Sequence, residues 1–353
     1  MTATARFSST YAYGMRSIAA AVLASILSVA AVAQANDGVL DAANEFPAVG
    51  QIFSIATIDG GLNYVGGYCS GSLIAPDLFL TAGHCQFFDS RARFETPGYE
   101  AEYWVSFDPI ASGNDFRCHL RDIEHPNAGQ IGCNPAVLNG ATFHRGVMSI
   151  VHPNYTRLVW PRDGASGILE TGLWGRFVDL AIVILETPVL GITPLATASL
   201  EIFSRADIGT PLTNVGYGVN YRKSVPAEPD QPGGNGPTVF QGGFGSKRVA
   251  DIGSLRTVTQ QEMIPTQQSA LGEGSVCYGD SGSPLFFRET DGSVNQTVTG
   301  VLSGWAYWCM GAYDPFARVD SREAVVFLGC VETAGTLEEA CECGIEDQLG
   351  LCH

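Results

Sequence analysis
The chain has 353 residues, 45% of them hydrophobic, and a formal charge of −17 at pH 7. That length suffices for one large core or two modest domains. The acidic balance excludes a protein that seeks nucleic acid or anionic membranes by bulk electrostatics.

Residues 1–35 read as an export signal. Arg6 and Arg16 give a positive start, and Ile18 to Ala33 is mostly Ala, Val, Leu and Ile. Ala33-Gln34-Ala35 fits a small-x-small cleavage site ahead of Asn36, with Ala31-Val32-Ala33 as a second candidate. A membrane anchor is the competing reading, but the run is short and interrupted by Ser25 and Ser28. Cleavage would take the charge to −19, because the segment carries two arginines and no acid. The expected product is secreted or periplasmic, with no membrane contact.

The rest alternates short apolar runs with Gly, Pro, Asn and Asp turns, which favours an all-β sandwich or barrel. Candidate strands lie at 49–58, 69–75, 78–82, 101–107, 147–151, 180–185, 211–215, 283–287, 297–303 and 315–319, with a short terminal helix at 321–328. Residues 86–146 and 224–247 read as loop-rich stretches, either solvent-exposed decoration or a rim that restricts substrates. All ten cysteines follow the signal. An even count in an exported chain reads as disulfides, against free thiols or a metal site.

Three segments carry chemistry. Gly279-Asp280-Ser281-Gly282-Ser283-Pro284 sets a serine between small neighbours, where backbone N–H groups can approach a reacting carbonyl. A serine hydroxyl needs a base to become nucleophilic. Thr81-Ala82-Gly83-His84-Cys85 follows the apolar run Leu78-Phe79-Leu80, and Asp179 opens the run Leu180 to Leu185. The other histidines considered, His119, His125, His144 and His152, have no such context.

With its chain order His, Asp, Ser, this set resembles the chymotrypsin/trypsin-like serine peptidases, in their bacterial, secreted branch. The resemblance extends from about 46 to 320. It includes Phe46-Pro47-Ala48-Val49, Cys69-Ser70-Gly71-Ser72-Leu73-Ile74, His152-Pro153-Asn154-Tyr155, Val215-Gly216-Tyr217-Gly218, Gly300-Val301-Leu302-Ser303-Gly304 and Phe316-Ala317-Arg318-Val319. It implies two packed antiparallel Greek-key β-barrels, the first at about 46–190 and the second at about 191–320. The peptidase domain would span 36–328, ahead of a Cys-rich tail at 329–353.

The resemblance also implies roles. Ser281 would be the nucleophile, His84 the general base and then acid, and Asp179 the orienting carboxylate. The N–H groups of Gly279 and Ser281 would form the oxyanion hole. Ser275, Ser303, Gly304, Trp305 and Asp314 would border the substrate pocket, with Ser303 a candidate partner for Asp179. Implied disulfides are Cys69–Cys85 and Cys277–Cys309, with Cys118–Cys133 inside an insertion. Cys330, Cys341, Cys343 and Cys352 form a terminal cluster of open connectivity, for which disulfides are favoured over a metal site shared with His353.

Ser275 stands where trypsin-like relatives place an Asp, and Leu302 where glutamate-specific relatives place a histidine. Both point to an apolar or aromatic preference, while Asp314 could restore a basic one. No Ile-Val-Gly-Gly-like segment follows a basic site; Val39-Leu40-Asp41-Ala42 is the nearest remnant. Either Asn36 pairs with Asp280 after signal removal, or Asp280 has another partner. The expected activity is endopeptidase cleavage of polypeptides by a monomer without cofactor or metal. A catalytically silent binding or adhesion protein and an esterase are the alternatives.

Overall fold
The structure is a computed structural model that describes residues 34–35, 38–86, 99–155, 178–219, 221–222, 244–266, 276–304 and 314–346. After a two-residue strand β1 (Val39–Leu40), six strands build the first barrel: β2 (Val49–Ile58), β3 (Gly61–Ala75), β4 (Leu78–Thr81), β5 (Tyr99–Ser106), β6 (His144–Val151) and β7 (Ala181–Leu185). They are antiparallel and hydrogen-bonded in the order β6-β5-β2-β3-β4-β7, and a β6–β7 pairing closes the ring.

The second ring uses β8 (Pro211–Gly216), β9 (Arg248–Val258), β10 (Glu262–Pro265), β11 (Pro284–Arg288), β12 (Val294–Leu302) and β13 (Phe316–Arg318). Its order is β10-β13-β12-β11-β8-β9, closed by β9–β10, with β1 on the outer edge of β9. In each ring three consecutive strands pair in turn and the fourth returns beside the first, which is the Greek-key arrangement. The all-β, two-barrel expectation therefore holds. The strands β9 and β10 were not expected from the sequence.

β2 is buried on both faces. Ile52 joins the main core with Leu73, Leu80 and Ile182. Phe53 and Ile55 face a satellite core with Trp104, Phe116, Leu120 and Phe143. That double burial explains why Val49–Ile58 shows no simple alternation of apolar and polar residues. The satellite core lies under a helix that the loop reading of 86–146 did not anticipate. Between α1 (Gly83–Gln86) and β6 runs α2 (Gly113–Asp122), started by a Ser112/Asp115 capping box and presenting Phe116 and Leu120 inward. Cys118–Cys133 ties α2 to the segment after it.

The terminal helix α3 (Arg322–Thr333) is longer than expected and is followed by α4 (Leu337–Cys341) and β14 (Ile345–Glu346). β14 pairs with Val151 and Ile150 of β6, so the tail returns to the first barrel. A Cys330–Cys343 disulfide closes this return. Phe327, Val331 and Ala340 pack into the same core as Met148 and Ile150. The bridge settles part of the terminal cysteine cluster in favour of disulfides. Cys341 is also disulfide-bonded, with its partner outside the described residues, as are Cys352 and His353.

Lys247 links the barrels from inside. It is fully buried, and its Nζ donates to Asn44 Oδ1 at 2.6 Å and to the carbonyls of Phe46 and Phe107 at 3.0 Å each. Burial lowers its pKa to about 8, partly opposed by the charges of Asp41 and Asp108. Beside it, Tyr217 Oη donates to Asp108 O at 2.8 Å. These contacts seat the end of β8 against the first barrel.

Candidate active site
The antiparallel pairing of β4 with β7 sets Thr81 opposite Ala181. His84 lies three residues beyond Thr81 and Asp179 two residues before Ala181, so both come to the same end of neighbouring strands. Residues 95 apart in sequence meet through this register. Asp179 Oδ2 accepts from His84 Nδ1 at 2.7 Å, and Oδ1 accepts from the His84 backbone N–H at 2.8 Å. Ser303, at the end of β12 in the other barrel, donates its hydroxyl to Asp179 Oδ2 at 2.7 Å. The Cys69–Cys85 disulfide anchors the residue next to His84 to β3.

Asp179 is buried, and the His84 side chain is 26% exposed. Burial pulls the His84 pKa down, but the Asp179 charge and its hydrogen bond outweigh that and leave it raised above 6.5. The Asp179 bond makes Nδ1 the protonated nitrogen in the neutral ring, so Nε2 is free to accept a proton.

Ser281 sits in a tight loop between Cys277 and β11. Gly279 and Gly282 have φ of +97° and +83°, a region where L side chains are strained. A Cβ at Gly282 would collide with Ser70 O and Thr81 Oγ1, so the loop presses on the strands that carry His84. Asp280 is fully buried; its Oδ1 accepts from Gly218 N–H and its Oδ2 from Cys277 N–H, both at 2.8 Å. The N–H groups of Asp280, Gly282 and Ser283 bond Cys277 O, Leu302 O and Asp280 O. Those of Gly279 and Ser281 have no acceptor among the described residues. Two unused donors flanking a serine suit a developing oxyanion. Among the described residues, the hydrogen-bond partner of His84 Nδ1 is Asp179, and no bond joins Nε2 to Ser281 Oγ.

Other residues singled out from the sequence fall as follows. Gly304 continues β12 beside Pro315, and Asp314 is fully buried next to Pro315, whose carbonyl accepts from Ser303 N–H. Cys277 is disulfide-bonded, while Cys309, Ser275 and Trp305 lie outside the described residues, as do Asn36 and most of 224–247. Val39 and Leu40 are exposed and pair with Val249 and Arg248, so this segment is an edge strand and supplies nothing to Asp280. The remaining described histidines have other partners. His119 meets Trp104 edge-on, His125 hydrogen-bonds Glu102, and His144 and His152 meet Phe107 and Phe327 edge-on. Among the described residues, the one group of metal-ligating type is Cys69, His84 and Cys85, and the disulfide consumes both thiolates. The sequence reading assigned no role to Ser70, although three of its hydrogen bonds reach the serine loop and its support.

A family model described as Trypsin matches residues 145–325, just over half of the chain. The chain belongs to the trypsin family. The matched span holds Asp179 and Ser281 and begins after His84. Among solved structures, the human heparin binding protein is similar at 16% identity and a TM-score of 0.48, covering 85% of this chain and 97% of that one. A mutant of the human heparin binding protein (CAP37) is similar at 15% identity and a TM-score of 0.46, with the same coverage. No curated protein matches the sequence. Three disulfides join described cysteines of this trypsin-family chain, as suits an extracellular or secreted protein. No helix among the described residues is long and apolar enough to cross a membrane.

Proposed function
We propose that this chain is an exported serine endopeptidase, secreted or periplasmic, that cleaves polypeptides through Ser281, His84 and Asp179. The observation that carries this reading is the Asp179 carboxylate, which holds His84 at two atoms and is itself held by Ser303 from the other barrel. Ser281 Oγ attacks the scissile carbonyl while His84 Nε2 takes its proton. Asp179 stabilises the imidazolium and keeps the ring oriented. The N–H groups of Gly279 and Ser281 receive the oxyanion, each worth ~3 kcal/mol to the transition state. His84 then protonates the leaving amine, and water repeats the sequence on the acyl-enzyme. Ser275 and Leu302 favour an apolar or aromatic residue before the scissile bond, which a peptide-library profile checks; a uniform preference for Lys or Arg would reject that specificity.

The test is reaction with a fluorophosphonate, followed by mass mapping of the adduct and assay of peptide and ester cleavage. Wild type should be modified at Ser281 and should cleave peptides, and Ser281→Ala should do neither. Unreactive wild-type protein, correctly processed, would leave a binding protein as the reading. Ester turnover without peptide cleavage would make it an esterase.

A further inference from the structure
The Ser281 loop has four successive carbonyls, and each is tied. Tyr278 O accepts from Val219 N–H at 2.8 Å and Asp280 O from Ser283 N–H at 2.8 Å. The other two are tied by one residue of the opposite barrel. Ser70 on β3 donates its backbone N–H to Ser281 O at 2.7 Å and its hydroxyl to Gly279 O at 2.7 Å. Its Oγ also accepts from Tyr217 N–H at 3.0 Å, and its own carbonyl accepts from Thr81 Oγ1 at 2.8 Å.

The direction of these bonds is fixed by chemistry. An amide N–H can only donate and a carbonyl can only accept, so the hydroxyl proton must point at Gly279. Ser70 is fully buried, so water cannot replace a lost bond. The Gly279–Asp280 peptide is then held at both ends, by Ser70 at its oxygen and by Cys277 O at its nitrogen. Gly279 sits at φ +97° with no side chain to resist rotation, so its carbonyl is the point at which the loop most needs a restraint. The same hydroxyl anchors Tyr217, the neighbour of Gly218, whose N–H holds Asp280.

We propose that the Ser70 hydroxyl is a positioning residue for the oxyanion site: by fixing the Gly279 carbonyl from the opposite barrel, it aligns the N–H groups of Gly279 and Ser281 on one point. This rests on the peptidase reading. A glycine or alanine here would keep the strand and the backbone bond to Ser281 O but release the Gly279 carbonyl.

The experiment compares wild type with Ser70→Ala, scaled to sites titrated by fluorophosphonate. The kcat for a peptide substrate should fall about tenfold to a hundredfold, with little change in KM. Affinity for a peptide boronate, which forms a tetrahedral adduct, should fall by a similar factor, while affinity for the corresponding peptide acid stays the same. Thr299→Val is the control for a purely structural loss. Thr299 donates a buried hydroxyl to Leu285 O within the second barrel, and its removal should lower Tm with kcat unchanged. Should Ser70→Ala fail to accumulate, Ser70→Gly is read the same way. Wild-type kcat and boronate affinity in either Ser70 variant would overturn the proposal, even if Tm falls. Wild-type protein that neither labels nor cleaves peptides would instead overturn the peptidase reading on which it rests.

Discussion
Asp179 in the first barrel and Asp280 in the second are both buried at the candidate site, and the two are held in different ways. Asp179, from the first barrel, accepts from the His84 ring, the His84 backbone and the Ser303 hydroxyl. The described donors to Asp280, in the second barrel, are the backbone N–H groups of Gly218 and Cys277. A ring nitrogen can titrate, so the charge of Asp179 acts on a proton equilibrium and raises the His84 pKa. A backbone amide cannot, and these two bonds draw a glycine-rich loop around the Asp280 carboxylate. In the proposed mechanism, the first carboxylate tunes the base and the second helps shape the loop that carries the nucleophile.

The contrast predicts different failures. Asp179→Asn should keep the fold and lower kcat by ~10⁴-fold, because the amide favours the wrong His84 tautomer. Steady-state kinetics with the melting temperature measured alongside would show it; a variant that simply unfolds would make Asp179 structural too. Asp280→Asn should act mainly on stability. An amide turns an N–H₂ toward a backbone donor, at a cost of about 3 kcal/mol, read by urea unfolding. Wild-type unfolding for this variant would remove the distinction. The smallest effect is expected for Ser303→Ala. Losing one donor to Asp179 leaves more charge facing His84, so the acid limb of kcat/KM should move to higher pH, with kcat reduced only several-fold. A limb that moves to lower pH would show that Ser303 does not act through Asp179.

The sequence made the candidate site more legible than the scaffold. Gly279 to Pro284, His84 and Asp179 stand in short, compositionally distinct contexts that survive without neighbours. β2 was legible to its ends because both of its faces are buried and mostly apolar. β9 was not, since Arg248, Asp251 and Arg256 dilute its apolar residues and its pairing shifts register near Gly253. β10 has four residues and ends in Pro265, too short for a periodic signal. α2 carried a readable start at Ser112 and Asp115, but charged and polar residues fill most of its ten positions. Ser70 was visible as part of Cys69-Ser70-Gly71-Ser72, yet its partners lie 147 and 209 residues away. A role made by contact between barrels leaves no local pattern.

The most direct measurement of the central claim is the pH dependence of fluorophosphonate labelling. In the proposed mechanism neutral His84 is the base, and its pKa is raised, so the second-order rate should increase with pH through one titration centred above 6.5 and level off once the ring is neutral. Ser281→Ala should be inert throughout, and Asp179→Asn should label slowly. A wild-type rate that does not change with pH, or an adduct on a residue other than Ser281, would contradict the account.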